Sequence, residues 1–167
     1  MTTGKNRAVD LSRVLGGAAD ALSRTRTCWL VTRSEEGIPR CRPMSLLPFE
    51  AVTGWTLRLV TDARSRKVEE IWGEQRVCVL CHARGGSFVS VTGRTHLVFE
   101  PEEVNARWRE AYDPFFPGEA RAQAAFIEVD TERLDLWIAG ATPEPFGMGT
   151  TTLERDASGR WVVLPES

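Results

Sequence analysis

The sequence has no long apolar run and no strong excess of either charge. Its 167 residues contain no stretch near the roughly 18 apolar residues of a membrane span. Met1 to Asp10 are polar and lack the apolar segment of a signal peptide, so the expected location is cytoplasmic. The formal net charge of -2 and the pI near 5.8 give no general attraction to nucleic acid or to an anionic membrane, and we expect neither as a partner.

Familiar catalytic arrangements are missing as well. The chain has no G-x-G-x-x-G fingerprint of a dinucleotide-binding fold. It also lacks any Cys-His, Ser-His-Asp or paired-carboxylate constellation that would indicate a side-chain nucleophile or an acid/base pair, so no catalytic residue is named. The length suggests one domain that buries its core without disulfides, and the four cysteines are expected to be reduced.

One cysteine pattern, Cys78-Val79-Leu80-Cys81-His82, matches the C-x-x-C-H string of covalent haem attachment. Such attachment needs export and usually a second axial ligand, whereas this string lies in a run that is typical of a buried strand. Residues three apart on a strand point to opposite faces, which disfavours a shared zinc ion or a disulfide between Cys78 and Cys81. We interpret both as small buried hydrophobes, predict no metal site, and place His96 on a strand surface.

The most informative stretch runs from Val60 to Ile71, where a hydrophobic strand ends in hydroxyls and cations that open a helix. Ser65 is a good N-cap, and the first backbone N–H groups and the helix dipole favour an anion at that end. Arg66 and Lys67 add charge-assisted donors. The pattern indicates a phosphate site, and the alternative is an ordinary helix with a basic, solvated first turn.

A further basic residue, Arg42, lies upstream in an apolar extended run between Ile38 and Leu46. A guanidinium is costly to bury unpaired and has the shape for bidentate recognition of phosphate, so we expect an anion opposite it. The alternative is a surface arginine on an edge strand, which Pro43 makes plausible because proline removes a ladder donor.

Apolar periodicity and turn residues predict short strands interrupted by helices, which favours a mainly antiparallel barrel over a doubly wound sheet. Gly93 is expected to mark a bulge or a close backbone approach. The loop 113–118 either borders a substrate pocket or plugs a barrel end. The predicted helices are 9–23, 65–73 and one from Pro101 with Val104, Trp108 and Ala111 at helical spacing. The predicted strands are 27–32, 40–47, 55–61, 77–82, 87–99, 125–130, 133–138 and a terminal hairpin in 151–164.

From about Thr27 to Trp137 the chain resembles the pyridoxamine 5′-phosphate oxidase-like flavoproteins, the FMN-binding split barrels, and in particular their general stress protein branch. The resemblance rests on Arg42-Pro43-Met44-Ser45 and on Ser65-Arg66-Lys67 before an amphipathic helix. It implies a mainly β (α+β) fold, an antiparallel split β-barrel with flanking helices. Residues 1–167 would form a single FMN-binding domain, with an N-terminal helix in 1–26 and a C-terminal extension or hairpin in 140–167.

The resemblance also implies a cofactor site and a homodimer. Arg42, Pro43, Met44 and Ser45 would line the flavin of FMN, while Val60, Thr61, Arg66 and Lys67 would hold its ribityl phosphate together with the N-cap Ser65. Two flavins would lie at the interface of a homodimer, each touched by both chains. Trp137 matches a late tryptophan that contacts the partner's flavin, and the alternative is an ordinary core or interface tryptophan.

The chain departs from the true oxidases at three places. Leu47 or its neighbours stand where they carry a lysine, and Phe88 stands where they present a glutamine to the flavin. The ending Trp161-Val162-Val163-Leu164-Pro165-Glu166-Ser167 replaces their Arg-Leu-x-Pro-like signature. These differences argue against oxidation of pyridoxamine phosphate and leave the phosphate anchor intact.

Three functions remain open at this point. The first is an FMN-dependent oxidoreductase that passes hydride from a reduced nicotinamide through flavin N5 to an unidentified small molecule. The second is a non-catalytic flavin-binding or flavin-storing stress protein. The third keeps the barrel and binds a deazaflavin or haem in place of FMN.

Overall fold

The computed structural model describes residues 9–49, 51–144 and 149–165. The start of the N-terminal segment predicted in 1–26, part of the extension predicted in 140–167 and the last two residues of the chain's ending therefore lie outside the described residues. Within the described ranges, no helix combines the length and the apolar character needed to cross a membrane.

Eight strands and three α-helices make up most of the described chain. The helices are α1 (Leu11–Arg24), α2 (Arg66–Gly73) and α3 (Pro101–Arg107), and 3-10 turns lie at Ala51–Thr53, Glu110–Phe115 and Gly118–Gln123. The strands are β1 (Thr27–Arg33), β2 (Pro39–Ser45), β3 (Thr56–Asp62), β4 (Arg76–Ala83), β5 (Ser87–Val98), β6 (Ala124–Trp137), β7 (Thr151–Arg155) and β8 (Trp161–Val163).

The strands form one antiparallel sheet in the order β2-β1-β4-β5-β6-β7-β8, and β3 pairs with β6. β3 and β7 share one edge of β6, because β3 pairs with its first half and β7 with its second. The sheet closes toward β2 through an isolated antiparallel bridge between Leu46 and Leu59. The predicted antiparallel split barrel with flanking helices is confirmed.

β6 corrects one prediction, because residues 125–130 and 133–137 belong to one continuous strand rather than two, and residue 138 lies just beyond its end. The register on β5 shifts between Thr92 and Gly93, which pair with Arg133 and Thr131. Glu132 is therefore the extra residue of a β-bulge. The two residues between the predicted strands, Thr131 and Glu132, therefore lie at this bulge and not in a connection. The predicted role of Gly93 is confirmed, since a Cβ there would overlap the backbone oxygen of Asp130.

The third helix is shorter than predicted. It ends at Arg107, and Trp108 already has an extended ψ of 142°. Trp108 donates a hydrogen bond from Nε1 to Asp113 Oδ1 at 2.8 Å, and its ring meets Tyr112 and Phe116 edge-on. Phe116 and Trp108 pack against a small second core cluster that includes Phe126. The loop 113–118 thus contributes an aromatic ring to this cluster.

The main core lies between the sheet and α1. The apolar face of α1 buries Val14, Ala18, Ala21 and Leu22. Asp10 caps this helix by accepting a hydrogen bond from the Arg13 N–H at 3.1 Å, as expected for a helix that begins after an Asp. Inside the barrel, each buried strand face alternates with an outward one, and Leu57, Leu59, Val79, Val91, Leu134 and Leu136 are fully buried.

The cysteines follow this alternation. Cys81 is buried and lies opposite the buried Cys28 on β1, whereas Cys78 is only partly buried on the other face. The hydrogen bond with Cys28 and burial both raise the pKa of Cys81, which keeps it an unreactive thiol. In the part of the chain that the structure describes, no group of three or more His, Cys, Asp or Glu side chains is placed to hold a metal ion.

Candidate functional site

The junction between β3 and α2 brings the predicted phosphate donors together. Ser65 is the N-cap of α2, as predicted, but within the described chain its side chain makes no capping hydrogen bond. Its hydroxyl instead lies 3.4 Å from Thr61 Oγ1. The first turn of the helix therefore presents backbone N–H groups next to two hydroxyls, which is the geometry that binds an anion.

Lys67 completes this group on the inner side of the helix. Its Nζ donates to Thr61 Oγ1 at 3.0 Å. Burial lowers the pKa of Lys67, and the nearby positive charge of Arg42 lowers it further. We call Thr61, Ser65, Arg66 and Lys67 the α2 cluster. Its inner ammonium ion is destabilised by burial and by a neighbouring cation, which is the electrostatic condition that an added anion relieves.

Arg64 does not belong to the cluster. Its guanidinium donates to both carboxylate oxygens of Asp62, at 3.0 and 2.7 Å, and its backbone N–H donates to the same carboxylate at 2.8 Å. These bonds lower the pKa of Asp62 to about 2. Asp62 thus neutralises Arg64 and fixes the turn that leads into α2.

Arg42 has an anionic partner, as the sequence predicted, but that partner is a residue of the chain. Arg42 lies on the inward face of β2, and its guanidinium donates to Thr32 Oγ1 and, at 2.8 Å, to Glu70 Oε2. The side chain of Arg42 is 19% exposed and that of Glu70 only 5%. β2 is indeed at an edge of the sheet order, but the side chain of Arg42 points inward, so the interpretation of Arg42 as a surface arginine is wrong.

Glu70 is the residue of this region that sequence reasoning missed. Its Oε2 accepts hydrogen bonds from Thr32 and Arg42, and its Oε1 lies 3.5 Å from Arg40 Nη1 and 3.6 Å from Arg66 Nε. The local sequence carries no signal for it, because consecutive residues of a helix point about 100° apart and Glu70 does not share the apolar face of Val68 and Ile71. A glutamate on a buried helix face requires a cationic partner.

Glu70 makes the stability of the protein depend on pH. Burial alone raises its pKa, but the hydrogen bonds from Thr32 and Arg42, with the charges of Arg42 and Arg40, outweigh burial and lower it. A lowered pKa means that the stabilisation is present above the ordinary glutamate pKa of about 4.3 and is lost as the pH falls below it. We expect the free energy of unfolding to fall on acidification through that range.

Urea denaturation at several values between about pH 3 and pH 7 measures this dependence. Glu70→Gln should make the slope shallower, and Glu69→Gln, at the exposed neighbouring position, should leave it as in the wild type. Some slope should remain in both variants, because Asp62 and Glu128 also have lowered pKa values. Equal slopes for the two variants would contradict the assignment.

The residues predicted to line the flavin divide between the two faces of β2. Met44 points inward and packs against the main core, whereas Pro43 and Ser45 are exposed on the outer face. Pro43 lies opposite Trp29 of β1. Val60 points away from Thr61 and packs against the second core cluster, so only its backbone lies next to the α2 cluster.

Trp137 lies at the end of β6, where it is opposite Phe88 of β5 in the register. It borders an open apolar groove of 630 Å³ on the outer face of the sheet. Trp29 and Phe88 are 50% and 43% exposed there, and the ring of Phe88 stacks on His82 at 4.4 Å. We call this surface the aromatic face; its residues are Trp29, Leu80, His82, Phe88 and Trp137.

Comparison with known proteins shows which family this chain matches and which solved structures share its fold. Residues 17–138 match the family model described as pyridoxamine 5′-phosphate oxidase. The chain is similar to the crystal structure of a pyridoxamine 5′-phosphate oxidase-related, FMN-binding protein from Nostoc punctiforme, with 18% identity, a TM-score of 0.70, and coverage of 90% of this chain and 95% of that one.

Two further structures share the fold. A protein from Clostridium acetobutylicum related to general stress protein 26 of B. subtilis is 13% identical with a TM-score of 0.70, covering 85% of this chain and 94% of that one. An F420 reductase is 18% identical with a TM-score of 0.55, covering 67% and 90%. No curated protein sequence matches the chain significantly.

Proposed function

Because the chain belongs to the pyridoxamine 5′-phosphate oxidase family, we propose that it binds FMN and passes electrons from a reduced nicotinamide to a small molecule. The observation that supports this most is the α2 cluster. Two hydroxyls and the ammonium group of Lys67 meet at the N-terminus of a helix whose N-cap side chain is not used for capping within the described chain, and Arg66 adds a second cation in the first turn, with its guanidinium near Glu70. That donor set suits a phosphate monoester.

The residues of the cluster fit the phosphate of FMN. Thr61 and Lys67 are already joined by a hydrogen bond, so the inner half of the site is preorganised. Arg66 is 72% exposed and has room to turn toward a ligand. In the proposed complex, Thr61, Ser65, Arg66 and Lys67 hold the phosphate, and the backbone from Pro43 to Ser45 positions the ring. The bound flavin would supply the hydride chemistry, and the chain would bind and orient it.

The proposed acceptor is not pyridoxamine phosphate. Leu47 is 7% exposed and lies in the second core cluster, so it offers no cation to a substrate phosphate. Phe88 stacks on His82 and has no amide to present to a flavin. Both observations support a reaction that differs from that of the true oxidases.

We further propose a homodimer in which each flavin is touched by both chains. The aromatic face exposes a contiguous apolar surface, and such surfaces typically mark interaction sites. Trp137 borders this face and is not part of the α2 cluster of its own chain. This position supports a contact between Trp137 and the flavin bound mainly by the partner.

Trp29→Glu is expected to convert the dimer to a monomer, because it would bury a carboxylate in the apolar centre of the interface. Multi-angle light scattering coupled to size exclusion would measure the mass. Trp72→Glu is the matched control, since Trp72 is 60% exposed on α2 and its one described ring contact is a tilted one with Phe99 at 5.8 Å. A wild-type monomer, or a dimer of the Trp29→Glu variant, would refute this interface.

The absorption spectrum of the purified protein tests the cofactor and its chemistry. It should show flavin bands, or gain them when FMN is added, and NADPH under anaerobic conditions should bleach them. Bands that resist NADPH would favour the non-catalytic flavin-binding protein. A colourless protein that ignores FMN would favour a deazaflavin, for which the fold has a precedent in the F420 reductase, and a Soret band would favour haem.

A further inference from the structure

The proposed function leaves Glu70 without a role, although it is the most buried charge near the α2 cluster. It brings three arginines to one carboxylate: Arg40 and Arg42 from β2 and Arg66 from α2. An acidic residue beside a phosphate site repels the ligand, so its presence requires an explanation. The two carboxylate oxygens of Glu70 differ in their contacts, and this difference explains why an acidic residue is present beside the site.

Oxygen Oε2 of Glu70 fixes Arg42. It accepts from Arg42 Nη2 at 2.8 Å and from the Thr32 hydroxyl, and Arg42 Nη1 donates to the same hydroxyl. This closed triangle of donors and acceptors leaves Arg42 one orientation. Arg42 Nη1 also donates to the Leu30 carbonyl oxygen at 3.5 Å, so both Nη atoms of the guanidinium are held.

Oxygen Oε1 of Glu70 holds its partners loosely. Arg66 Nε lies at 3.6 Å and Arg40 Nη1 at 3.5 Å, and in the described structure this buried oxygen accepts no hydrogen bond. Arg66 also borders an open groove of 600 Å³ between α2 and the β1–β2 turn. The contact therefore retains Arg66 through charge alone and leaves its side chain free to move.

We propose that Glu70 is a positioning residue of the phosphate site, which fixes Arg42 through Oε2 and retains Arg66 near Oε1 until a phosphate monoester takes Arg66 over. The inference rests on the proposed function, in which that monoester is the phosphate of FMN. Ligand binding is then an exchange of anions at Arg66. The binding free energy contributed by Arg66 is then the difference between the free energies of its two ion pairs, with the ligand and with Glu70, rather than the full free energy of the first.

Glu70→Gln separates the two oxygens. The amide keeps one acceptor oxygen for Thr32 and Arg42 but removes the charge that retains Arg66. Calorimetry with inorganic phosphate and with FMN should show about tenfold tighter binding than in the wild type, the size expected for a partly screened unit charge several ångströms from a dianion. Riboflavin, which lacks the phosphate, should bind as in the wild type.

Glu69→Gln is the matched control, because it makes the same change of charge at the exposed neighbouring position of α2. Glu69→Gln should leave the affinities for inorganic phosphate, FMN and riboflavin within about twofold of the wild type. A residue that serves only the stability of the fold would leave phosphate binding equal or weaker on substitution. Equal or weaker binding in Glu70→Gln therefore overturns the proposal.

A measurement on the wild type covers the case in which Glu70→Gln does not fold. In carbon-13 NMR of protein labelled at the glutamate carboxylates, a phosphate titration should change the chemical shift of the Glu70 carboxylate and not that of Glu69. An unchanged Glu70 chemical shift overturns the proposal.

The outcomes for the proposed function and for Glu70 can be told apart. Phosphate binding without FMN binding would refute the proposed function, and the role of Glu70 would then be tested by the phosphate affinities of the two variants. FMN binding with equal affinities in the two variants would refute the role of Glu70 alone.

Discussion

Replacing Arg66 and Lys67 together by alanine is expected to weaken FMN binding by a few kcal/mol, about 1.5 to 3 for each charged hydrogen bond that is lost. The two cations contribute differently. Lys67 is half-buried against Thr61 and loses little entropy on binding, whereas Arg66 is largely exposed and must be ordered by the ligand. We expect Lys67 to account for the larger share. Quenching of flavin fluorescence during titration would measure the affinity.

Arg64→Ala is the control for that double variant. Arg64 carries the same charge at the same turn, but it is bonded to Asp62 and its side chain is 69% exposed. Its loss should leave FMN affinity close to that of the wild type. Riboflavin affinity should change in neither variant, because the effect acts through the phosphate. An unchanged FMN affinity in the double variant would remove the argument that α2 anchors the phosphate.

The second large effect concerns the bulge in β6. Gly93→Ala is expected to lower the free energy of unfolding by about 2 to 4 kcal/mol, because overpacking against backbone cannot relax by a side-chain rotation. The added methyl group would overlap the Asp130 oxygen and lie 2.9 Å from the carbonyl carbon of Asp130 and 3.0 Å from Val129 Cγ1. Urea denaturation measures the change.

Gly16→Ala is the matched substitution in a permissive place. Gly16 lies within α1, and its Cβ would have no described heavy atom within 4 Å. Alanine should therefore stabilise the protein by about 0.5 to 1 kcal/mol, the difference between the two helix propensities. If Gly93→Ala had the same urea midpoint of unfolding as the wild type, the close approach of β5 and β6 would be refuted.

The sequence is sufficient where local chemistry decides the structure. Ser65 is recognisable as the start of a helix because a good N-cap residue and two cations follow a hydrophobic strand, and all of this information lies within a few residues. Gly93 is recognisable in the same way, since a glycine inside an alternating strand pattern often marks a bulge or a close backbone approach. The local structure is predictable at both positions, and at Gly93 the close backbone approach is predictable as well.

The sequence is insufficient where distant residues decide. Glu70 is explained by Thr32 and Arg42, which lie 38 and 28 residues away in the chain. A break between two strands is predicted at Thr131 and Glu132, because nothing local distinguishes such a break from a bulge that is fixed by a neighbouring strand. The predicted third helix is too long because Trp108 fits the helical spacing but packs against the second core cluster.

During protein synthesis, β3 is made well before β6, the strand with which it pairs. From Asp62, the end of β3, to Ala124, the start of β6, the ribosome must add 62 residues. At about 5 to 20 residues per second this takes roughly 3 to 12 seconds. For that interval the nascent chain carries Leu57, Leu59 and Val60 without the strand that later covers them. Arg58 places a charge in the middle of this apolar segment, and a charge at such a position disfavours aggregation of an exposed strand.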